Sequence, residues 1–110
     1  MTESSLCVRW GILGTANIAR KNIRAIYFSQ NNVVRGIASR SIEKAREYIV
    51  SNRLKEDEVL AFGSYQECLD STDIDAVYIP LPTVLHLEWV VKAAERGKHV
   101  LGRAYASVLY

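Results

Sequence analysis

Short apolar runs alternate with segments of helical periodicity along this chain, and this alternation constrains the fold more than any other feature of the sequence. The first run, Val8–Leu13, is almost continuously apolar, as in a strand that a parallel sheet buries on both faces. It leads through a turn of small residues directly into an amphipathic helical segment. Strands and helices in alternation form a parallel sheet covered by helices on both faces. We therefore predict an α/β fold, a doubly wound parallel sheet with the element order βαβαβαβαβ in a single domain.

Apolar spacing and capping residues set the predicted bounds of the elements. The predicted strands are Val8–Leu13, Val33–Ala38, Val59–Phe62, Ala76–Ile79 and His99–Leu101. The predicted helices are Asn17–Ser29, Ile42 to about Asn52, a short helix that opens at Ser64 and runs through Leu69, and Val84–Arg96. The side chains predicted to face the sheet are Ile18, Ala19, Ile23, Ile26 and Tyr27, then Ala45, Tyr48 and Ile49, and finally Leu87, Val90, Val91 and Ala94. Ser41, Ser64 and Thr83 are predicted N-caps, and Gly97 is predicted to follow the last helix as its C′ residue.

Composition and charge exclude several classes of protein. With 110 residues and an ordinary apolar content, the chain fits one globular domain. A net charge of +2, without basic runs interleaved with aromatics, argues against nucleic-acid binding, and no apolar run approaches the length of a membrane span. Cys7 and Cys68 fall in no metal-binding spacing, and residues 1–5 do not form a signal peptide. These features favour a reduced, cytoplasmic protein without a metal.

The turn after the first strand has the spacing of a phosphate-binding loop. It reads Gly14-Thr15-Ala16-Asn17-Ile18-Ala19, a variant of the nucleotide-binding fingerprint G-x-G-x-x-G/A in which alanine takes the place of the middle glycine. Backbone N–H groups at the start of the following helix, together with the helix dipole, favour a bound phosphate. Taken alone, these residues fit an ordinary strand-to-helix turn equally well. Arg20, Lys21 and Arg24 follow the turn, and a solvated helix face explains them better than a phosphate contact.

The loop after the second strand distinguishes between nicotinamide cofactors. Ligands of such sheets bind at the carboxyl ends of the strands, where this loop, the first turn and the loop after the fourth strand are expected to meet. An NAD site usually has Asp or Glu here, whereas this chain reads Ala38-Ser39-Arg40-Ser41. A hydroxyl and a guanidinium suit the 2′-phosphate of NADP, and Lys44 adds positive charge. We therefore predict NADP rather than NAD, the alternative being that Arg40 only covers the end of the sheet.

The loop after the fourth strand is predicted to lie beside the nicotinamide. It reads Pro80-Leu81-Pro82-Thr83, and the two prolines stiffen it. Thr83 and His86 are placed to contact cofactor or substrate, although a histidine at the start of a helix is as often structural. His99 lies within the fifth strand and is predicted to be structural.

Four motifs, in this order, resemble the amino-terminal domain of the Gfo/Idh/MocA oxidoreductases. They are Gly-Ile-Leu-Gly-Thr-Ala-Asn-Ile-Ala-Arg-Lys at 11–21, Ala-Ser-Arg-Ser at 38–41, Asp-Ala-Val-Tyr-Ile-Pro-Leu-Pro-Thr at 75–83 with His86, and Ala-Ala-Glu-Arg-Gly-Lys-His-Val-Leu at 93–101. The branch that they resemble most contains dimeric dihydrodiol dehydrogenase and NADP-dependent D-xylose dehydrogenase. The resemblance implies that residues 1–101 form a Rossmann-type NAD(P)-binding domain. It also implies an oxidoreductase that acts on a sugar or a cyclic diol with NADP.

The residues after the fifth strand depart from the family pattern. In the family, a Glu-Lys-Pro motif just after this strand supplies the proton-handling lysine, and a substrate-binding domain follows. Here the corresponding positions hold Arg103, Ala104 and Tyr105, within a divergent tail of residues 102–110. An arginine stays protonated at any working pH, so it cannot replace the lysine. We therefore expect no catalytic residue in this chain, an absent substrate domain and no turnover by the chain alone.

Two alternatives to an enzyme stay open, a non-catalytic NADP-binding module and a truncated gene product. A frameshift, a retained intron or a gene-model error after Leu101 would join a family-like body to an unrelated tail, which best accounts for residues 102–110. Residues 106–110 have a strand-like composition and are predicted to pair beside the fifth strand. Without a second domain, we expect marginal stability and self-association through the exposed sheet edge.

Overall fold

The computed structural model describes residues 7–16 and 19–101, and its fold class is the predicted one. The strands are β1 (Val8–Leu13), β2 (Asn32–Ala38), β3 (Leu60–Phe62), β4 (Ala76–Tyr78) and β5 (His99–Leu101). The helices are α1 (Arg20–Tyr27), α2 (Ile42–Ser51), α3 (Tyr65–Asp70) and α4 (Thr83–Glu95). Strands and helices alternate as predicted, with bounds that differ by a few residues. The predictions for residues 17, 18 and 102–110 lie outside the described residues.

All five strands lie parallel in one sheet with the order β3-β2-β1-β4-β5. The chain moves outward from β1 through β2 to β3, and then crosses to β4 on the other side of β1. The direction of winding therefore reverses at β1, and the carboxyl ends of β1, β2 and β4 lie side by side. In doubly wound sheets, ligands bind at this point of reversal.

Two apolar cores lie on opposite faces of the sheet, because successive strand residues point to opposite sides. Ile12 belongs to the core under α1 and α2, whereas the next residue, Leu13, belongs to the core under α3 and α4. The helices contribute Ile23, Ile26, Ala45, Tyr48 and Ile49 to the first core, and Cys68, Leu69, Val90 and Ala93 to the second. The predicted placement of helices on both faces is confirmed.

An ion pair ties β1 to the start of β4 at the amino ends of the strands. Nε and Nη2 of Arg9 each donate to a carboxylate oxygen of Asp75 at 2.9 Å. The hydrogen bond from Arg9 lowers the pKa of the Asp75 carboxyl below its usual value. Because this pKa is lower in the folded state, the pair stabilises the fold at neutral pH and loses its effect as the pH falls through that pKa.

Three of the four predicted helix caps are confirmed. Oγ of Ser41 accepts the N–H of Lys44 at 3.4 Å, at the start of α2. Oγ of Ser64 accepts the N–H of Glu67 at 3.1 Å, at the start of α3. Gly97 follows α4 with a φ of +73°, the left-handed conformation that glycine adopts readily at C′.

The fourth predicted cap, Thr83, is wrong, because α4 begins at Thr83 and its N-cap is Pro82. The carbonyl of Pro82 accepts the N–H groups of Leu85 and His86, both at 2.9 Å. The backbone therefore closes the first turn of α4 without a side-chain cap. This shift moves the start of the helix one residue toward the loop after β4.

α1 ends earlier than predicted, at Tyr27 rather than at Ser29. Beyond it, the N–H of Ser29 donates to the carbonyl of Ile26 at 3.1 Å in a tighter turn, and the chain then enters Asn31 with a φ of +66°. Tyr27, predicted to face the core, is 43% exposed. The buried side of α1 therefore consists of Ile23 and Ile26, without Tyr27.

The predicted apolar face of α4 is largely wrong. Val90 is buried as predicted, but Leu87 and Val91 are 65% and 44% exposed, and Ala94 is exposed as well. Ala93 takes the buried position instead. Apolar side chains occupy nearly every side of this helix, so their spacing does not identify the side that packs on the sheet. The small side chain of Ala93 lets the helix approach the sheet.

Candidate cofactor-binding site

Gly14 forms the turn that leaves β1, and its conformation requires glycine. Its φ of +117° lies in a region that L side chains rarely adopt. A Cβ atom there would lie 3.2 Å from Cδ2 of Leu81, in the loop after β4. The N–H of Gly14 donates to the carbonyl of Ala38 at 2.8 Å, at the end of β2. The structure thus brings together the three loops that the sequence places at this edge.

Tyr48 of α2 holds the next part of this turn. Its hydroxyl donates to the carbonyl of Ala16 at 2.6 Å, and the N–H of Ala19 donates to the same carbonyl at 3.2 Å. Burial raises the pKa of the Tyr48 hydroxyl to about 12, so the hydroxyl keeps its proton at any working pH. The turn is therefore anchored to α2 as well as to β2.

The loop after β2 presents two exposed cations. Ser39 is buried, and its Oγ accepts the N–H of Ser41 at 3.3 Å, which shapes the loop. Arg40 and Lys44 are exposed, and within the described residues neither side chain makes an ion pair or a hydrogen bond. Two unpaired cations beside the carboxyl end of β2 are suited to hold an anion.

The loop after β4 lies on the other side of the β1 turn. Pro80 and Leu81 are buried, whereas Pro82 is exposed at the start of α4. Thr83 is the first residue of that helix, and His86 is half-buried in its first turn. The side chain of Leu81 contacts the β1 turn and thereby supports the backbone of that turn.

A groove of about 310 Å³ opens between the β1 turn and helices α1 and α2. Its lining consists of Thr15, Arg20, Lys44, Glu47, Tyr48 and Ser51. The Arg20 guanidinium lies 5.8 Å from the centre of the Tyr48 ring, and its Nη2 donates to Oγ of Ser51 at 3.4 Å. The sequence predicts a solvated position for Arg20 and a core position for Tyr48. A tyrosine on a buried helix face needs a partner for its hydroxyl, but the sequence does not indicate which group that partner is.

Other features of the described residues lie away from this site. A cavity of about 580 Å³, lined in part by Arg9, Arg35, Glu58 and Asp75, lies at the opposite, amino-terminal edge of the sheet. Burial raises the pKa of Cys68 to about 12, which keeps its thiol protonated and unreactive. Over residues 7–16 and 19–101, no three His, Cys, Asp or Glu side chains are grouped to hold a metal ion. Within the same ranges, no helix has both the length and the apolar character of a membrane span.

Comparison with known proteins places this geometry in a family. Residues 8–102 match the profile of the Gfo/Idh/MocA oxidoreductase family, described as an oxidoreductase family with an NAD-binding Rossmann fold. The chain is 44% identical over 92 residues to D-xylose 1-dehydrogenase (NADP(+)) 2 of Haloferax volcanii, covering 84% of this chain and 27% of the relative. It is 40% identical over 101 residues to dTDP-3,4-didehydro-2,6-dideoxy-alpha-D-glucose 3-reductase of Streptomyces violaceoruber, covering 91% of this chain and 28% of the relative.

A solved structure agrees with these sequence relatives. The 3-ketoreductase of Actinomadura kijaniata, in complex with TDP-benzene and NADP, superposes with a TM-score of 0.78 and 35% identity. The similarity covers 87% of this chain and 29% of that one, so the chain spans less than a third of the length of the relatives that it matches. Since the family match extends over nearly all of this sequence, the chain belongs to the Gfo/Idh/MocA oxidoreductases, as their nicotinamide-dinucleotide-binding Rossmann domain.

Proposed function

We propose that this chain binds NADP along the carboxyl edge of the sheet. The observation that carries the proposal is the pair of exposed cations, Arg40 and Lys44, that follow β2 without a partner among the described residues. No carboxylate occupies the end of β2, where NAD-binding domains usually hold the ribose hydroxyls. The guanidinium of Arg40 offers paired donors to a 2′-phosphate, the group that distinguishes NADP from NAD.

Each loop has its own part in the proposed complex. The β1 turn holds the diphosphate, the loop after β2 holds the 2′-phosphate, and the loop after β4 lies beside the nicotinamide. The residues involved are Gly14, Thr15, Ala16, Asn17 and Ile18 in the first loop, Ser39, Arg40 and Lys44 at the second, and Pro80, Leu81, Pro82, Thr83 and His86 at the third. The conformation of Gly14 supports this assignment, because its φ of +117° is that of the tight turn for which the nucleotide-binding fingerprint needs its first glycine.

The relatives support both the cofactor and the class of substrate. The Haloferax volcanii enzyme is named for NADP, and the Actinomadura kijaniata ketoreductase was solved with NADP. We infer that the whole protein to which this domain belongs is an oxidoreductase acting on a sugar or a cyclic diol. Bound nicotinamide supplies the hydride acceptor or donor for such chemistry.

We propose that the 110-residue chain binds the cofactor without turnover. Arg103, Ala104 and Tyr105 occupy the positions of the family's Glu-Lys-Pro motif, in a segment beyond the described residues. General acid–base catalysis typically contributes about 10²–10⁴-fold in rate, and this chain offers no lysine in the required place. Sustained NADPH formation from NADP and D-xylose by the purified chain would contradict this proposal.

The Arg40→Asp variant tests the assignment of the 2′-phosphate. This variant loses the hydrogen bonds between the guanidinium and the charged phosphate, together with their binding free energy. We therefore expect the Kd of the variant for NADPH to rise about 10- to 100-fold. The Kd for NADH should stay the same or fall, because the new carboxylate can accept the ribose hydroxyls. Fluorescence titration of the full chain with each cofactor measures both constants.

The matched control for this experiment is Arg46→Asp. Arg46 lies on α2 and lines a separate groove beside β3, so its charge reversal changes the net charge equally without touching the proposed site. We expect the Kd for NADPH to change little in this variant. An equal loss of affinity in both variants, or an unchanged preference in Arg40→Asp, would assign the effect to general electrostatics and overturn the role of Arg40.

We also propose that the chain associates with itself at its β5 edge. β5 pairs only with β4 among the described strands, so its outer edge has no described partner strand. Val84 and Leu87 of the neighbouring helix α4 are 88% and 65% exposed. An apolar surface beside an open strand favours association.

We further propose that the chain resides in the cytoplasm. Its two free cysteines, Cys7 and Cys68, fit a reducing compartment.

A further inference from the structure

The hydroxyl of Tyr48 links two parts of the proposed site that lie far apart in sequence. Tyr48 is 5% exposed in the core between α2 and the sheet, and its hydroxyl donates to the carbonyl of Ala16 at 2.6 Å. The bond connects residues 32 positions apart. Buried tyrosines bond their hydroxyls to whatever acceptor lies in reach, and here the acceptor is the backbone of the β1 turn.

The β1 turn has two anchors, and both come from the second strand-and-helix unit. At its start, the N–H of Gly14 donates to the carbonyl of Ala38 in β2. At its end, the carbonyl of Ala16 accepts the hydroxyl of Tyr48 in α2. A peptide group is planar, so fixing a carbonyl also fixes the plane of the peptide that follows it. The direction of the backbone at the end of the turn therefore depends on Tyr48.

The charged groups around this contact belong to the same groove. The guanidinium of Arg20 lies over the Tyr48 ring, and Lys44 and Glu47 of α2 line the groove with them. Lys44 lies one helical turn before Tyr48, so the helix that carries the proposed 2′-phosphate contact also holds the proposed diphosphate turn.

We propose that Tyr48 is a positioning residue for the cofactor, which holds the β1 turn in its diphosphate-binding form by anchoring the carbonyl of Ala16 to α2. The proposal rests on the proposed binding of NADP at this edge. Tyr48 contacts no part of the cofactor in this account, and it acts through the turn. Because both NADP and NAD place a diphosphate there, its effect is common to the two cofactors.

The Tyr48→Phe variant removes the hydroxyl and keeps the ring. Loss of the free energy of one buried hydrogen bond is expected to raise the Kd by about threefold to tenfold. We expect this rise for NADPH and for NADH alike, with the ratio of the two constants unchanged. Arg40→Asp, by contrast, is expected to change that ratio, so the two variants distinguish positioning of the turn from recognition of the 2′-phosphate.

The Tyr78→Phe variant is the matched control. Tyr78 is buried in the same core, and its hydroxyl accepts a hydrogen bond from Nδ2 of Asn22 at 2.7 Å rather than holding the turn. Thermal melts of both variants show whether they lose similar stability. We expect only Tyr48→Phe to weaken cofactor binding, whereas a purely structural role for Tyr48 would leave its Kd equal to that of the control.

Hydrogen–deuterium exchange of the cofactor-free chain gives a second readout. We expect peptides that contain the β1 turn to exchange faster in Tyr48→Phe than in the wild type or in Tyr78→Phe. Unchanged exchange together with unchanged Kd values would overturn the positioning role while leaving NADP binding intact. Failure of the wild type to bind either cofactor would instead overturn the proposed function, and the positioning role with it.

Discussion

Gly14 is the residue on which the geometry of the β1 turn depends most. Replacement by alanine forces an L side chain into a φ of +117° and places its Cβ 3.2 Å from Leu81. We expect Gly14→Ala to lower the free energy of unfolding by about 1–3 kcal/mol, the usual cost of such backbone strain. We also expect a marked loss of NADPH affinity, because the strained turn must change its conformation. Urea denaturation and cofactor titration measure the two effects.

Gly97→Ala separates backbone strain from the role of the turn. Gly97 has a φ of +73°, but a Cβ there would meet nothing within 4 Å. We expect this variant to lose about 1–2 kcal/mol of stability from the left-handed conformation alone, with NADPH affinity unchanged. If Gly97→Ala weakened binding as much as Gly14→Ala, the loss would reflect stability, and Gly14 would have no special place in the site.

The sequence points to those residues of the proposed site that follow from local chemistry. Glycine in a tight turn, and an arginine where a carboxylate is usual, are both visible without a structure, as Gly14 and Arg40 demonstrate. Tyr48 is different, because its spacing assigns its ring correctly to the core but gives no direction for its hydroxyl. Its partner, Ala16, lies 32 residues away, and only the packing of α2 beside α1 brings the two together.

At the scale of elements, the accuracy of the sequence prediction depends on how distinct the two sides of each helix are. α2 carries charged residues on its outer side, so its buried face of Ala45, Tyr48 and Ile49 was predicted correctly. α4 is apolar on most sides, and there the spacing wrongly selects Ala94 for the position that Ala93 occupies in the core. In such a helix, packing against the neighbouring sheet determines which residue is buried.

The exposed apolar side of α4 is expected to mediate self-association of the chain. Val84, Leu87 and Val91 are 88%, 65% and 44% exposed, and they follow one another at helical spacing beside the β5 edge. Sedimentation equilibrium of the wild-type chain should therefore show concentration-dependent association. Since burying a leucine is worth about 1.5–3 kcal/mol, Leu87→Lys should weaken the association at least about tenfold.

Val50→Lys is the control for that measurement. Val50 is 54% exposed on α2, away from α4 and β5. The same new charge at this position should leave the association constant unchanged. A wild-type chain that stays monomeric over the whole concentration range, or equal effects of the two lysines, would show that α4 does not mediate association.

At the scale of the whole molecule, the fold brings its cofactor features to one edge of a single sheet. The reversal of winding at β1 places the carboxyl ends of β1, β2 and β4 together. The alternation of strands and helices in the sequence predicts this arrangement. The opposite edge is occupied by structural contacts such as the Arg9–Asp75 pair. The family match extends over this sheet and its helices.

Titration of the purified 110-residue chain with NADPH and with NADH is the decisive measurement of cofactor binding and of the preference for the 2′-phosphate. We expect saturable binding of NADPH, observed as a change in nicotinamide fluorescence. We expect NADH binding to be weaker by about tenfold or more, because the charged contacts to the 2′-phosphate are missing. Absence of saturable NADPH binding, or NADH binding of equal strength, would contradict the proposed function.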